Sequence, residues 1–173
     1  MIELGQLTSK ILELFSVSSV DALGSALMKC VIEGNVDQMQ TFCELVDNDL
    51  SRDWLQMVYQ YYQADRKEKK QDYTPKCLAD FMGRLAGEAE TIVDMCAGSG
   101  ALTIQRWNQN HDQKFRLYEL DEKVIPYLLF NLAVRNISAS VCRADVLQDE
   151  VYEQWIVRKG EQFGNVISVK SSV

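Results

Sequence analysis

Apolar positions in the first third of the chain recur mostly at three- and four-residue steps. Ile2, Leu4, Leu7, Ile11, Leu12, Leu14 and Phe15 make one such stripe, the signature of an amphipathic helix. A second helix, capped by Ser19 or Asp21, is predicted through Leu23, Leu27, Met28 and Val31-Ile32, ending near Gly34. A third covers Val36 to Val46. A fourth starts at Ser51 or Asp53 and carries Trp54, Leu55, Val58, Tyr61 and Tyr62. The short breaks between them fit a small helical bundle over residues 1–65. Its aromatic and Met stripe reads as core or interface, and it carries no chemical motif.

The run Asp65-Arg66-Lys67-Glu68-Lys69-Lys70-Gln71-Asp72 reads as a solvated linker over residues 66–72. From Tyr73 the period changes, and residues 73–173 read as a second unit. Cys77 to Leu85 is expected to be helical, and Glu90-Thr91-Ile92-Val93-Asp94 is a short apolar run entering a glycine turn, as buried parallel strands do. Leu102 to Trp107 resumes as helix. Phe115 to Glu119 reads as a second strand, Lys123 to Arg135 as a helix, and Ser140 to Asp145 as a third strand. Gln148 to Val157 is expected to be helical and Val166 to Val169 a fourth strand. Pro126 should delay or bend the helix that contains it. Alternating strands and helices imply an α/β domain, a partial doubly wound parallel sheet with helices on both faces.

Composition narrows the function. The chain has 173 residues, 47% of them hydrophobic and 25% charged, with a net charge of −7. Residues 1–50 hold eight Asp/Glu against two Lys, so nucleic acid should not lie there; an acidic helical surface suits a protein partner instead. The five cysteines (Cys30, Cys43, Cys77, Cys96, Cys142) show no zinc or thioredoxin-like spacing and no disulfide framework. One histidine, His111 in a polar run, argues against a Ser-His-Asp triad or a multi-His metal site. No apolar stretch reaches the ~18 residues of a membrane span, and Met1-Ile2-Glu3 does not open a signal peptide. The expected compartment is a reducing cytoplasm, with no metal.

The strongest signal is Asp94-Met95-Cys96-Ala97-Gly98-Ser99-Gly100 at a strand-to-helix junction. Gly98 and Gly100 allow positive φ and close backbone approach to a ligand, while the next helix points N–H groups at the turn. No Lys-Ser/Thr follows, so this is not a Walker loop, and Thr103 stands where a dinucleotide fingerprint has its third glycine. Glu119 follows about 20 residues on, at the end of the second strand, placed to accept from ribose hydroxyls. Asp145 ends the third strand, placed to accept from an adenine amine. A pyrophosphate would repel Asp94, whereas a ligand carrying a sulfonium and an ammonium would be attracted. That favours S-adenosylmethionine over NAD.

These residues resemble the first motif of class I S-adenosylmethionine-dependent methyltransferases, in the Asp-x-x-x-Gly-Ser-Gly form of adenine-N6 DNA methyltransferases. Asp72-Tyr73-Thr74-Pro75 resembles the Tyr-Thr-Pro element of the group that includes type I restriction-modification methylase subunits. The resemblance implies that Tyr73, Thr74 and Pro75 cover the methionine end of the cofactor. It implies that Asp94, Ala97, Gly98 and Gly100 hold its amino acid and ribose region. Tyr118-Glu119-Leu120-Asp121 and Ala144-Asp145-Val146-Leu147 resemble the second and third motifs, with Glu119 as ribose acceptor. The resemblance covers roughly residues 72–168, with four motifs in the family's order, and the fold implied is Rossmann-like.

The resemblance stops at the catalytic motif. In the family, Phe-x-x-Val-Ile-x is followed by Asn/Asp-Pro-Pro-aromatic; here Phe163-Gly164-Asn165-Val166-Ile167-Ser168 is followed by Val169-Lys170-Ser171-Ser172-Val173. The only prolines are Pro75 and Pro126, so no Pro-Pro occurs anywhere. The family motif accepts hydrogen bonds from the adenine amine and stacks on the flipped base. Cofactor binding without efficient methyl transfer by this chain alone is therefore the expectation, with no catalytic residue assigned and DNA met through missing or partner segments. The rival readings are a non-catalytic cofactor-binding or protein-interaction module, and a fragment of an RNA or protein methyltransferase. Cys96 reads as a packing residue and Asp121 as a helix cap, while Asn131 is left open between structure and site.

Overall fold

The computed structural model describes residues 4–62 and 74–169. The linker expected at 66–72 and Tyr73 lie outside the described residues. In chain order the elements are α1 (Leu4–Leu14), α2 (Val20–Glu33), α3 (Val36–Leu45), α4 (Trp54–Tyr62), α5 (Lys76–Leu85), β1 (Thr91–Asp94), α6 (Ala101–Gln109), β2 (Lys114–Glu119), α7 (Ile125–Val134), β3 (Ala139–Asp145), β4 (Glu150–Arg158) and β5 (Asn165–Val169).

The four amino-terminal helices form where the apolar periodicity places them. Ser19 is the N-cap of α2, and Gly34 closes it in the left-handed conformation at φ +63°. Asn35 caps α3 by accepting from the Gln38 amide at 3.1 Å. Their inward faces bury Leu7, Ile11, Leu23, Leu27, Met39, Phe42, Leu55 and Val58 in a core that continues through α7 to Leu117 and Val141 of the sheet. Phe42 and Phe15 both meet the Phe130 ring edge-on, at centroid distances of 5.0 and 5.5 Å. Every residue of α7 is buried. Pro126 sits in the first turn of that helix, where its missing donor costs nothing, so it starts the helix without bending it.

The sheet is an open five-stranded one in the order β1-β2-β3-β4-β5. β1, β2 and β3 run parallel, with Ile92 beside Phe115 and Phe115 beside Ala139. This is the expected α/β class, a Rossmann-like parallel unit, extended by β4, which runs opposite to it, and by β5, which runs opposite to β4 and so in the direction of β1 to β3.

Two expectations are corrected. Residues 150–158 form strand β4, not a helix, and pair antiparallel with β3. Only a tight turn separates β3 from β4, too short for the crossover that a parallel return needs. The alternation of Gln154, Trp155, Ile156 and Val157 then buries Trp155 and Val157 on the core side, and Arg143 pairs with Glu153 across the strands at 2.6 Å. Val166 to Val169 is a strand as expected, but β5 pairs antiparallel with β4 at the edge remote from β1.

The second correction concerns the layers. Among the described residues the helices cover one face of the sheet, the side of Phe115, Leu117, Val141 and Val157. On the other side Thr91, Val93, Lys114 and Arg116 are exposed, Val93 to 53%. β1 to β2 to β3 steps one way across the sheet, so right-handed crossovers place both connecting helices on the same side.

Candidate functional site

The site is built where β1 turns into α6. β1 ends at Asp94, and the turn begins with the Asp94 Oδ1 accepting from the Cys96 amide at 3.1 Å. Ala97, buried against the sheet, donates its amide to the Tyr118 carbonyl at 2.8 Å and so ties the turn to the end of β2. Gly98 then takes φ +56° and Gly100 φ +99°, where a β-carbon is strained. A β-carbon on Gly98 would meet nothing within 4 Å, which is open approach for a ligand. One on Gly100 would lie 3.1 Å from Leu128 Cδ1, which is close packing. Gly100 is the N-cap of α6, and its carbonyl accepts the Ile104 amide at 2.8 Å.

The three acids singled out from the sequence each end a parallel strand on the same side of the sheet: Asp94 on β1, Glu119 on β2, Asp145 on β3. Open α/β sheets bind ligands at such strand ends. Glu119 Oε2 accepts the Gly98 amide at 2.8 Å, and its Oε1 accepts the Asp121 amide at 2.8 Å. The structure thus joins Glu119 directly to the glycine loop. Asp145 turns onto its own loop, Oδ1 accepting the Leu147 and Gln148 amides and Oδ2 the Gln148 side chain. Thr74 and Pro75 lead into α5, for which Pro75 is the N-cap, and α5 packs on α6.

Asp94 is electrostatically unfinished. Its Oδ2 is buried and has no hydrogen-bond partner. Burial pushes its carboxyl pKa up, and the Cys96 amide only partly opposes this. Such a carboxylate is poised for a cationic partner. Cys96, exposed beside it, has its thiol pKa raised by desolvation and by the Glu119 and Asp94 charges, the opposite of an activated nucleophile.

A cavity of about 210 Å³ opens between α5, α6 and β1, bordered by Met82, Ile92, Asp94, Met95 and Arg106. A larger one, about 690 Å³, lies between α2, α4 and α7 and is lined by Met28, Tyr59 and Tyr127. It holds none of the strand-end acids and lacks the glycine loop, so size does not make it the site.

Sequence reasoning missed the support beneath the loop. Asp53 was visible only as a helix cap, and it does accept the Gln56 amide at 2.8 Å. The same carboxylate accepts Ser99 Oγ at 2.6 Å and Asn131 Nδ2 at 2.9 Å. Asn131 is thereby settled as a structural residue behind the loop; its Nδ2 also donates to the Ser99 carbonyl at 2.9 Å. A polar residue inside α7, the most apolar of the described helices, was the one available signal.

Among the described residues no group of His, Cys, Asp and Glu is arranged to hold a metal, and no helix is long and apolar enough to cross a membrane. A family model described as N-6 DNA Methylase matches residues 47–169. That span begins ahead of α4 and so takes in Asp53 as well as the glycine loop. No curated protein and no solved structure matches the chain.

Proposed function

We propose, from the premise that the chain belongs to the N-6 DNA methylase family, that the strand-end crevice binds S-adenosylmethionine as part of an adenine-specific restriction-modification methyltransferase. The observation that carries this is the buried, unpartnered Oδ2 of Asp94 beside the open Gly98 turn. The cofactor's ammonium would supply the missing charge-assisted donor. Glu119 and Asp145 each keep lone pairs for the ribose hydroxyls and the adenine amine. Ala97 and Gly100 hold the loop's two ends, while Tyr73, Thr74 and Pro75 would cover the methionine end. Bound there, S-adenosylmethionine supplies a methyl group activated by its sulfonium.

The residues present do the binding half of the chemistry. Nothing in the 173 residues matches Asn/Asp-Pro-Pro-aromatic, because no two prolines are adjacent. An adenine amine brought here would lack the paired acceptors that localise its lone pair. We therefore infer cofactor binding without efficient transfer by these residues alone, with DNA engaged through other segments or a partner chain; the acidic helical surface is a candidate protein contact. The five free thiols suit a reducing cytoplasm.

Calorimetry tests the reading. The chain should bind S-adenosylmethionine and S-adenosylhomocysteine and not NAD, and Asp94→Ala should weaken that binding by roughly tenfold or more, the worth of one charge-assisted contact. With labelled S-adenosylmethionine and adenine-containing DNA it should show no robust turnover. Absence of binding, or a preference for NAD, would refute the cofactor assignment, and robust turnover would refute the incomplete-site reading.

A further inference from the structure

Residues 50–53, the last of the segment that joins α3 to α4, are held by α6, by Arg135 at the end of α7 and by Ser99 of the glycine loop. Arg135 Nε donates to the Leu50 carbonyl at 2.9 Å and its Nη2 to the Arg52 carbonyl at 2.6 Å. Gln105 and Asn108, on α6, both donate to the Ser51 carbonyl, at 2.9 and 3.0 Å. Asp53 then reaches Ser99 and Asn131, and Arg135 Nη1 donates to both the main-chain and side-chain oxygens of Asn131 at 2.9 Å. Asp53 is 7% exposed, Arg135 3%, Ser99 2% and Asn131 1%, so water does not substitute for these bonds.

Ser99 is the only residue between Gly98 and Gly100, the two positions of the loop with positive φ. Glycines define backbone conformation weakly, because they have the most conformations to choose from. The loop's shape therefore has to be fixed from its neighbours. Glu119 holds the Gly98 amide from the ligand side. From behind, Ser99 is held twice, its hydroxyl by Asp53 and its carbonyl by Asn131. Asp53 thus joins the amino-terminal helical region to the residues that must meet a ligand.

We propose that Asp53 is a positioning residue of the cofactor site: through the Ser99 hydroxyl it locks the Gly98–Gly100 turn in its binding conformation, so the amino-terminal helices are part of the binding apparatus. The functional half of this rests on the S-adenosylmethionine reading above; the structural half stands on the free protein. Ser99→Ala removes one hydroxyl and leaves Asp53 Oδ2 without its donor. Asp53→Ala removes the acceptor altogether. Asp53→Asn keeps the shape, and its amide can donate to Ser99 Oγ while its oxygen still accepts from Asn131 and Gln56.

Amide hydrogen exchange on the free chain, compared with calorimetry using S-adenosylmethionine, tests it. In Ser99→Ala and Asp53→Ala the amides of residues 98–101 should exchange about tenfold faster while those of β3 keep their rates. Asp53→Asn should retain most of the protection, and adding Ser99→Ala to Asp53→Ala should cost nothing further at the loop. Cofactor affinity should fall about tenfold in the two disruptive variants and recover in Asp53→Asn. Unchanged loop exchange, or equal acceleration in β3, overturns the positioning role, as does a loosened loop with undiminished affinity. If the unaltered chain binds no S-adenosylmethionine, the cofactor reading falls, and the exchange data still decide whether Asp53 holds the loop.

Discussion

Glu119 at the end of β2 holds the amide of Gly98, 21 positions earlier in the chain, at 2.8 Å. The carboxylate expected to receive a ribose is thus also the clamp on the turn that would face it. Its other oxygen is fixed by the Asp121 amide, so the side chain is oriented before any ligand arrives.

This double role makes Glu119→Ala and Glu119→Gln different experiments. The alanine variant loses both clamp and acceptor, and S-adenosylmethionine affinity should fall by about 1.5–3 kcal/mol, roughly tenfold or more. The glutamine variant keeps one carbonyl acceptor and should lose about half of that free energy. Calorimetry on both variants checks the order; equal losses would mean that charge, not clamping, sets affinity.

The parallel unit was legible because each signal there is local. Runs of four to seven residues ending in Asp94, Glu119 and Asp145 are strands whether or not their partners are known, and Gly98 and Gly100 announce a turn. The four amino-terminal helices were legible for the same reason. β4 was misread because its pairing with β3, not its own period, decides its state; Gln148 to Val157 has enough apolar residues for either reading. The support behind the loop was hidden because Asp53 and Ser99 are 46 positions apart, and a cap residue explains itself without a distant partner.

Asp94 should make the free protein less stable as pH rises. Its native pKa is raised by burial, so the folded state holds that proton more tightly than the unfolded chain does. The stabilisation is complete below the unfolded value, about 3.9, and is lost as pH rises through the raised native value. Asp94→Asn removes this dependence. Denaturant unfolding between pH 4 and 7 should show wild type losing stability relative to the variant as pH increases, while the variant binds S-adenosylmethionine more weakly. A difference that is flat or of opposite slope would contradict the assignment.

The two glycines should separate stability from binding. Gly98→Ala meets no atom within 4 Å and bears only its left-handed φ, a cost of about 1–2 kcal/mol, while the added methyl projects into the ligand's approach. Gly100→Ala adds a contact 3.1 Å from Leu128 Cδ1 at φ +99°, so it should cost more, about 2–3 kcal/mol. Melting curves with and without S-adenosylmethionine check this: Gly100→Ala should give the larger fall in Tm, Gly98→Ala the larger loss of the ligand-induced rise.

Arg135 is the charge that makes the buried Asp53 tolerable, although the two meet only through Asn131. Burial lowers the guanidinium pKa to about 10, and Asp53 is the first of the charges that oppose the fall. Arg135→Met would leave the Leu50 and Arg52 carbonyls without donors and Asp53 without a compensating cation, a loss of about 3–5 kcal/mol. Arg135→Lys keeps the charge but presents one ammonium to acceptors spread over three residues, so its loss should be smaller and still clear. The pH dependence identifies the cause. Asp53 already has a raised native pKa from burial, partly offset by Ser99 and Arg135, and removing the arginine raises it further. Protonation then relieves the uncompensated charge, so the Arg135→Met deficit should shrink as pH falls from 7 to 5. Unfolding measurements at both ends of that range check it; a deficit independent of pH would assign the whole loss to the orphaned carbonyls.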